Sequence, residues 1–97
     1  MDNSRNGHVS ADEIRAEVKR LIAEVTEREP DEIADTALFT EDLGVDSLMA
    51  MEIMVTLDKR FKIDLPEEEF NTIKNVDDAV AVIEHYLSQR GESVAAQ

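Results

Sequence analysis

The sequence predicts an all-α fold, a four-helix bundle with a long first loop and a short third helix. Apolar residues recur three or four positions apart in separate segments, which is the period of an amphipathic helix. These segments begin at residues that cap helices and end at residues that break them. Because the sequence shows no alternating strand pattern, no heptad run and no internal repeat, no other fold class competes.

Length and composition predict one domain with an aliphatic core. The chain has 97 residues, of which 42% are hydrophobic but only 4% aromatic, and this length suits a single modest core. We expect the folded domain to span residues 10–90. The polar residues 1–9 are expected to form a disordered tail, and residues 91–97 a flexible one.

The first helix is predicted to begin at a capping box formed by Ser10 and Glu13, in which each side chain accepts a hydrogen bond from the other residue's amide. Pro30 ends this helix, because proline fits poorly in a helix interior and disfavours helical dihedrals at the residue before it. The apolar positions of the helix are Ile14, Val18, Leu21, Ile22 and Val25.

The loop over residues 32–42 is expected to be held to the core by a few apolar side chains. These are Ile33, Ala37, Leu38 and Phe39. From Glu24 to Asp46 the chain carries nine acidic residues and a single base, Arg28. This acidic region is interpreted as either a solvated face or a surface that binds a partner.

The second helix is predicted at Ser47–Phe61. Asp46 can cap the first free amides, so the Ser47 hydroxyl stands exposed beside the positive end of the helix dipole. The stripe expected to face the core comprises Ala50, Ile53, Met54, Leu57 and Phe61. A second apolar stripe, nearly opposite, comprises Leu48, Met51 and Val55. Such a helix is either buried all round or presents apolar side chains to a partner, and the small size of the domain favours the partner.

Two further helices are predicted in the C-terminal third of the chain. A short third helix at residues 64–70 has Pro66 near its start and acids in its first turn. Asn75 is expected to cap a fourth helix, which Gly91 ends. The core positions of the fourth helix are Val76, Ala79, Val80, Ile83 and Leu87.

The segment from Gly44 to Leu48, Gly-Val-Asp-Ser-Leu, resembles the Asp-Ser-Leu attachment motif of the acyl carrier protein family. The tripeptide alone is common, but the resemblance extends from Ile14 to Leu87, with helices, loop lengths and motif position in the family's order. It implies an acyl-carrier-like bundle in which Ser47, flanked by Asp46 and Leu48, carries 4′-phosphopantetheine.

The resemblance implies carriage without catalysis. A phosphopantetheinyl transferase, using coenzyme A and magnesium, would attach the 4′-phosphopantetheine arm to Ser47 through a phosphodiester, and the thiol of the arm would hold acyl intermediates as thioesters. The implied partners are this transferase and the acyl-transfer and chain-elongation enzymes. Their predicted contacts are Leu48, Met51, Glu52 and Val55. The protein would be a monomer in the cytoplasm, and it would not be an enzyme.

The residues leave fatty-acid and polyketide biosynthesis open. Residues 48–53 look like polyketide-type carriers, whereas residues 61–69 look like discrete fatty-acid carriers. Met49 stands where an acid often follows the motif, and Lys59 and Arg60 interrupt the usual acidic run. These two bases balance the two acids of the second helix, so the helix carries no net charge. This neutrality argues against free exchange with housekeeping fatty-acid enzymes.

Charge and residue types argue against several other functions. The formal net charge of −13 opposes binding to nucleic acid or to an anionic membrane. No apolar run is close to the length of about 18 residues that a membrane-spanning helix needs. Without cysteine there can be no disulfide or thiolate metal site. His8 and His85 have no apparent catalytic or metal-ligating partner, so neither kind of site is predicted. The alternative is an unmodified acidic helical adaptor that binds through Leu48, Met51 and Val55.

Overall fold

The structure, a computed structural model, describes residues 10–96 and is helical throughout its regular parts. It contains three α-helices, α1 (Ala11–Thr26), α2 (Ser47–Phe61) and α3 (Val76–Ala96), and two short 3₁₀-helices, Pro30–Glu32 and Glu67–Asn71. No β-strand occurs in this part of the chain. The all-α prediction is therefore confirmed, whereas the predicted count of four α-helices is not.

The core lies between the three α-helices and is aliphatic, as predicted. Helix α1 packs more extensively against α3 than against α2. Each helix contributes an apolar stripe to this interior, with Ile14, Val18 and Ile22 of α1 fully buried. Phe39 and Phe61 are the only aromatic side chains among the buried residues of the described chain. Within residues 10–96, no helix is both long and apolar enough to cross a membrane.

Hydrogen bonds at the helix starts confirm the predicted caps. The Glu13 amide donates to Ser10 Oγ at 3.2 Å, and the Ser10 amide donates to Glu13 Oε1 at 3.0 Å. At the start of α3 the Asp78 amide donates to Asn75 Oδ1 at 2.8 Å. These side chains satisfy amides that have no partner within the helix, and so they define where each helix begins.

Helix α1 ends at Thr26, before Pro30 is reached. Glu27 adopts a left-handed conformation with φ of 59°, and the Arg28 amide donates to the Ala23 carbonyl at 2.8 Å. This arrangement turns the chain out of the helix and satisfies a terminal carbonyl. Pro30 then begins the first 3₁₀-helix, where its missing N–H costs no hydrogen bond.

The predicted short third helix is a 3₁₀-helix, Glu67–Asn71. The segment has only five residues, too few to propagate an α-helix on its own. The Thr72 hydroxyl and the Thr72 amide both donate to the Glu69 carbonyl, at 2.9 and 3.0 Å, and tighten the last turn. The Tyr86 hydroxyl of α3 donates to Glu69 Oε2 at 2.9 Å, which joins this segment to the bundle.

The predicted end of the last helix at Gly91 is wrong, because α3 continues to Ala96. Glycine in a helix interior costs about 1 kcal/mol relative to alanine, which a long helix can tolerate. Residues 1–9, including His8, lie outside the described residues. The division into a domain at 10–90 with two tails stays a prediction.

The loop between α1 and α2 is held to the core at several points. Ile33 and Phe39 are buried as predicted, and Ala37 and Leu38 are half-buried. The Phe39 amide donates to the Lys74 carbonyl at 2.9 Å, so the loop is also tied to the segment before α3. The loop therefore holds the start of α2 in a defined position.

Ion pairs hold the same loop against α1 and the start of α3. Asp35 lies 3.1 Å from Arg15 and 2.7 Å from Lys19, and Arg15 also lies 2.7 Å from Asp77. The hydrogen bond from Lys19 holds the pKa of the Asp35 carboxyl below its ordinary value. At least one acid of the acidic region therefore has a structural role.

Candidate functional site

Ser47 is the first residue of α2, as the sequence predicts, and its side chain is exposed. Asp46 caps the helix, with Oδ1 accepting a hydrogen bond from the Met49 amide at 2.9 Å. Within the described chain the Ser47 hydroxyl has no hydrogen-bond partner. The hydroxyl is thus free to react and stands at the positive end of the helix dipole.

The turn before Ser47 is fixed by buried residues on both sides of Gly44. Leu43 and Val45 are buried, and the Val45 amide donates to the Phe39 carbonyl at 2.8 Å. Gly44 has φ of 71°, a conformation that glycine adopts at little cost. A Cβ on Gly44 would meet nothing within 4 Å, so the backbone angle rather than crowding favours glycine here. An exposed serine therefore stands on a well-anchored turn.

An open groove of about 350 Å³ lies beside Ser47. One wall is formed by the loop and the start of α2, including Thr40, Asp46 and Ala50. The other wall comes from residues 70–74, which include Phe70 and Asn71 at the end of the second 3₁₀-helix and the residues after it. No pattern in the sequence predicts that residues 70–74 border Ser47, because only tertiary packing brings the two segments together.

A smaller cavity of about 30 Å³ lies deeper, between the helices. All of its lining side chains are apolar, and they include Val18 of α1 and Leu57 of α2. The residues that line both this cavity and the outer groove are Phe39, Ala50, Phe70 and Ile73. These four residues form an apolar partition between the surface beside Ser47 and the interior of the bundle.

The second apolar stripe of α2 points to solvent. Leu48, Met51 and Val55 are 75%, 47% and 50% exposed, and Glu52 beside them is also exposed. This confirms the prediction that the stripe lies outside the core. The opposite stripe is buried at Ile53, Leu57 and Phe61 and half-buried at Ala50 and Met54. Three large apolar side chains thus form an exposed patch next to Ser47.

The bases near the end of α2 have different environments. Arg60 pairs with Glu17 of α1, which also pairs with Arg20. Lys59 is exposed. The structure thus separates a base that pairs between helices, Arg60, from one that forms no ion pair within the described residues, Lys59.

His85, for which the sequence predicts neither a catalytic nor a metal-binding role, lies outside the groove beside Ser47. His85 is exposed on α3, and its ring packs edge-on against Tyr86 with the ring centroids 5.3 Å apart. This contact involves neither Ser47 nor the groove beside it. The chemistry available at the site therefore rests on the free hydroxyl of Ser47 and the capping carboxylate of Asp46, beside a groove lined by both polar and apolar residues.

Comparisons with known proteins agree on one family. Residues 16–83 match the family model described as "Phosphopantetheine attachment site". An acyl carrier protein from Rickettsia bellii is 42% identical over 77 residues, which cover 79% of this chain and 90% of that protein. The meromycolate extension acyl carrier protein of Mycobacterium tuberculosis is 34% identical over 88 residues, 91% of this chain and 76% of that one.

A solved structure has the same fold. It is that of an acyl carrier protein from Enterococcus faecalis, which superposes with a TM-score of 0.70 at 26% sequence identity. The match covers 80% of this chain and 99% of the other. The order of helices around Ser47 is thus shared with a protein of that kind over most of the chain.

Proposed function

The chain belongs to the acyl carrier protein family, and on that premise we propose that Ser47 is the residue that carries its 4′-phosphopantetheine. The protein is a carrier of acyl groups and not an enzyme. The single observation that supports Ser47 is the position of its free, exposed hydroxyl at the first residue of α2, on an anchored turn.

The surroundings of Ser47 suit a phosphodiester. Its negative charge would lie at the N-terminus of α2, where the helix dipole stabilises an anion by about 0.3–1 kcal/mol. Asp46 offsets part of this effect, because its carboxylate is also negative and already accepts from the Met49 amide. We therefore assign Asp46 to fixing the helix start, with Leu48 presenting apolar surface on the other side of Ser47.

Attachment uses the nucleophilicity of the Ser47 hydroxyl. Its oxygen forms the bond to phosphorus, the diphosphate bond of coenzyme A breaks, and adenosine 3′,5′-bisphosphate leaves while the hydroxyl proton passes to a base of the transferase. Once attached, the arm supplies a thiol that holds an acyl chain as a thioester. The groove of about 350 Å³ beside Ser47 leaves space for the arm next to the protein.

The apolar partition offers a route for an acyl chain into the bundle. Phe39, Ala50, Phe70 and Ile73 separate the groove from the cavity of about 30 Å³. That cavity is too small for an acyl chain, so the partition side chains must move apart for a chain to enter. We propose that acyl chains enter here, where burial of each methylene contributes about 0.8 kcal/mol.

The exposed stripe of α2 is the proposed contact for partner enzymes. Leu48, Met51 and Val55, with Glu52, lie on the same helix as Ser47 and on its outward side. Exposed apolar surface of this kind is typical of protein-binding sites. The proposed partners are the phosphopantetheinyl transferase and the acyl-transfer and chain-elongation enzymes.

The pathway is proposed only as fatty-acid or polyketide biosynthesis. The neutral α2 supports dedicated partner enzymes over free exchange with housekeeping fatty-acid enzymes. We further propose that the protein acts as a monomer in the cytoplasm. The formal net charge of −13 supports the monomer, because like-charged copies repel one another.

Incubation with coenzyme A, magnesium and a promiscuous transferase tests the attachment site. The wild-type chain is expected to gain the mass of phosphopantetheine, whereas Ser47→Ala should fold normally and gain none. Thr40→Ala is the matched control, because it removes another exposed hydroxyl of the same groove and should be modified fully. Intact mass and circular dichroism measure these outcomes, and a mass gain in Ser47→Ala would contradict the assignment.

A further inference from the structure

One cation lies on the exposed apolar stripe of α2. At 100° per residue, Lys59 falls about 20° from Leu48 and about 40° from Val55 around the helix axis. Lys59 is exposed, and it forms no ion pair with any other residue in the described range 10–96. The apolar stripe of Leu48, Met51 and Val55, which starts next to Ser47, is therefore followed by a positive charge at Lys59.

The other bases on α1 and α2 form ion pairs within the molecule. Arg60, the next residue in the chain, pairs with Glu17 of α1. Arg15 and Lys19 pair with Asp35. The Lys59 charge is left available to a partner on a chain whose formal net charge is −13. Its place at the end of α2 also suits the helix dipole, but the dipole does not require a cation on this particular face.

We infer that the enzyme surface that binds α2 presents a carboxylate opposite Lys59, beyond an apolar seat for Leu48, Met51 and Val55. The inference rests on the proposed function and specifies the partner of the same site. At 1.5 Å per residue, Lys59 lies about 18 Å along the helix from Ser47. On the enzyme, the carboxylate is therefore expected about 18 Å from the entrance through which the arm on Ser47 reaches the active site.

Glu52 makes the charge pattern directional. It lies between Ser47 and Lys59 on the exposed side of α2, so the complementary surface has a base nearer the entrance and an acid farther from it. A uniformly basic surface would be repelled at Lys59, and a uniformly acidic surface would be repelled by the chain as a whole. Lys59 thus selects among partners and fixes the orientation in which they bind.

Covalent trapping by condensing enzymes tests this inference. The chain and its variants are loaded at Ser47 with a pantetheine arm bearing a chloroacrylamide, which alkylates the active-site cysteine of a condensing enzyme. Intact mass verifies complete loading before each reaction. The trapping rate is then measured with purified condensing enzymes from the organism that encodes this chain, at low salt and at high salt.

The charge on Lys59 is expected to control the rate. With the enzyme that traps the wild-type chain fastest, Lys59→Glu should react at about one fifth of the wild-type rate or below, because a like charge then faces the carboxylate. Lys59→Arg should react at the normal rate, and the difference should shrink as salt screens exposed charges. Arg28→Glu is the matched control, because it makes the same change in net charge on a different exposed segment, and it should react normally.

Several results would overturn the inference. These are a Lys59→Glu rate equal to or above that of the wild type, an equal slowing in Arg28→Glu, and a loaded wild-type chain that none of the enzymes traps. Lys59→Gln distinguishes loss of the cation from instability, because it adds no acid to the last helical turn and should still react more slowly. A wild-type chain that fails to load at Ser47 contradicts the proposed function instead.

Discussion

The two faces of α2 are both apolar, yet only one of them lies in the core. Ile53 and Leu57 are 5% and 2% exposed, whereas Leu48 is 75% exposed on the other face. Hydrophobicity therefore does not by itself decide which face of a helix is buried. The difference comes from the neighbours, because α1 and the second 3₁₀-helix pack against α2, and Phe39 of the loop lines the same cavity as its buried side chains.

The outer face remains exposed because this small bundle has too few elements to cover α2 on both sides. Helix α1 packs mainly on α3, and the segment predicted as a further helix is only the 3₁₀-helix Glu67–Asn71. Exposed apolar surface is unfavourable in water, so a stripe of this size next to Ser47 is best explained by binding. The contrast between the faces can be tested by mutating each in turn.

The largest expected effect on stability is at the buried face. Leu57→Ala should lower the free energy of unfolding by about 2–5 kcal/mol, because it removes buried methylene groups and leaves a cavity. Val55→Ala is the matched control on the exposed face, and it should change the free energy of unfolding by no more than about 0.5 kcal/mol. Urea denaturation measures both variants, and similar losses would show that the two faces do not differ in burial.

A smaller effect on stability is expected at Asp46, the residue that caps the start of α2. Asp46→Ala should lower the free energy of unfolding by about 1 kcal/mol, because the Met49 amide loses its cap. Asp46→Asn preserves a good cap and should lose only a few tenths of a kcal/mol. If Asp46→Asn is nevertheless modified slowly by the transferase, the carboxylate contributes to recognition. Equal destabilisation of the two variants would contradict the capping role.

The smallest effect on stability is expected at Met51. Met51→Glu should change the free energy of unfolding by no more than about 0.5–1 kcal/mol, because the side chain is already 47% exposed. The same change should slow modification of Ser47, since it places a charge in an apolar contact, while Met51→Leu should be modified normally. Denaturation midpoints and initial modification rates test this. A strongly destabilised Met51→Glu, or one modified at the normal rate, would disprove the assignment of the exposed face.

Local signals in the sequence were sufficient for the start of each α-helix. The side chains of Ser10, Asp46 and Asn75 cap the helices that follow them, because capping involves residues only three positions apart. Both stripes of α2 were also predicted correctly, since they follow from the helical period alone. Local rules failed for the third predicted helix and for Gly91, where the cost of a few unfavourable residues must be weighed against the packing of a whole segment.

By itself the sequence determined the helical class, the caps, the place of Ser47 at the start of α2 and the existence of two apolar faces. Tertiary structure decided which contacts those parts make. The groove joins Ser47 to Phe70 and Asn71, more than twenty positions away in the chain, and Arg60 turns to Glu17 while Lys59 stays exposed. Helical period and capping depend on neighbours within one turn, whereas grooves and ion pairs between helices depend on how distant segments pack together.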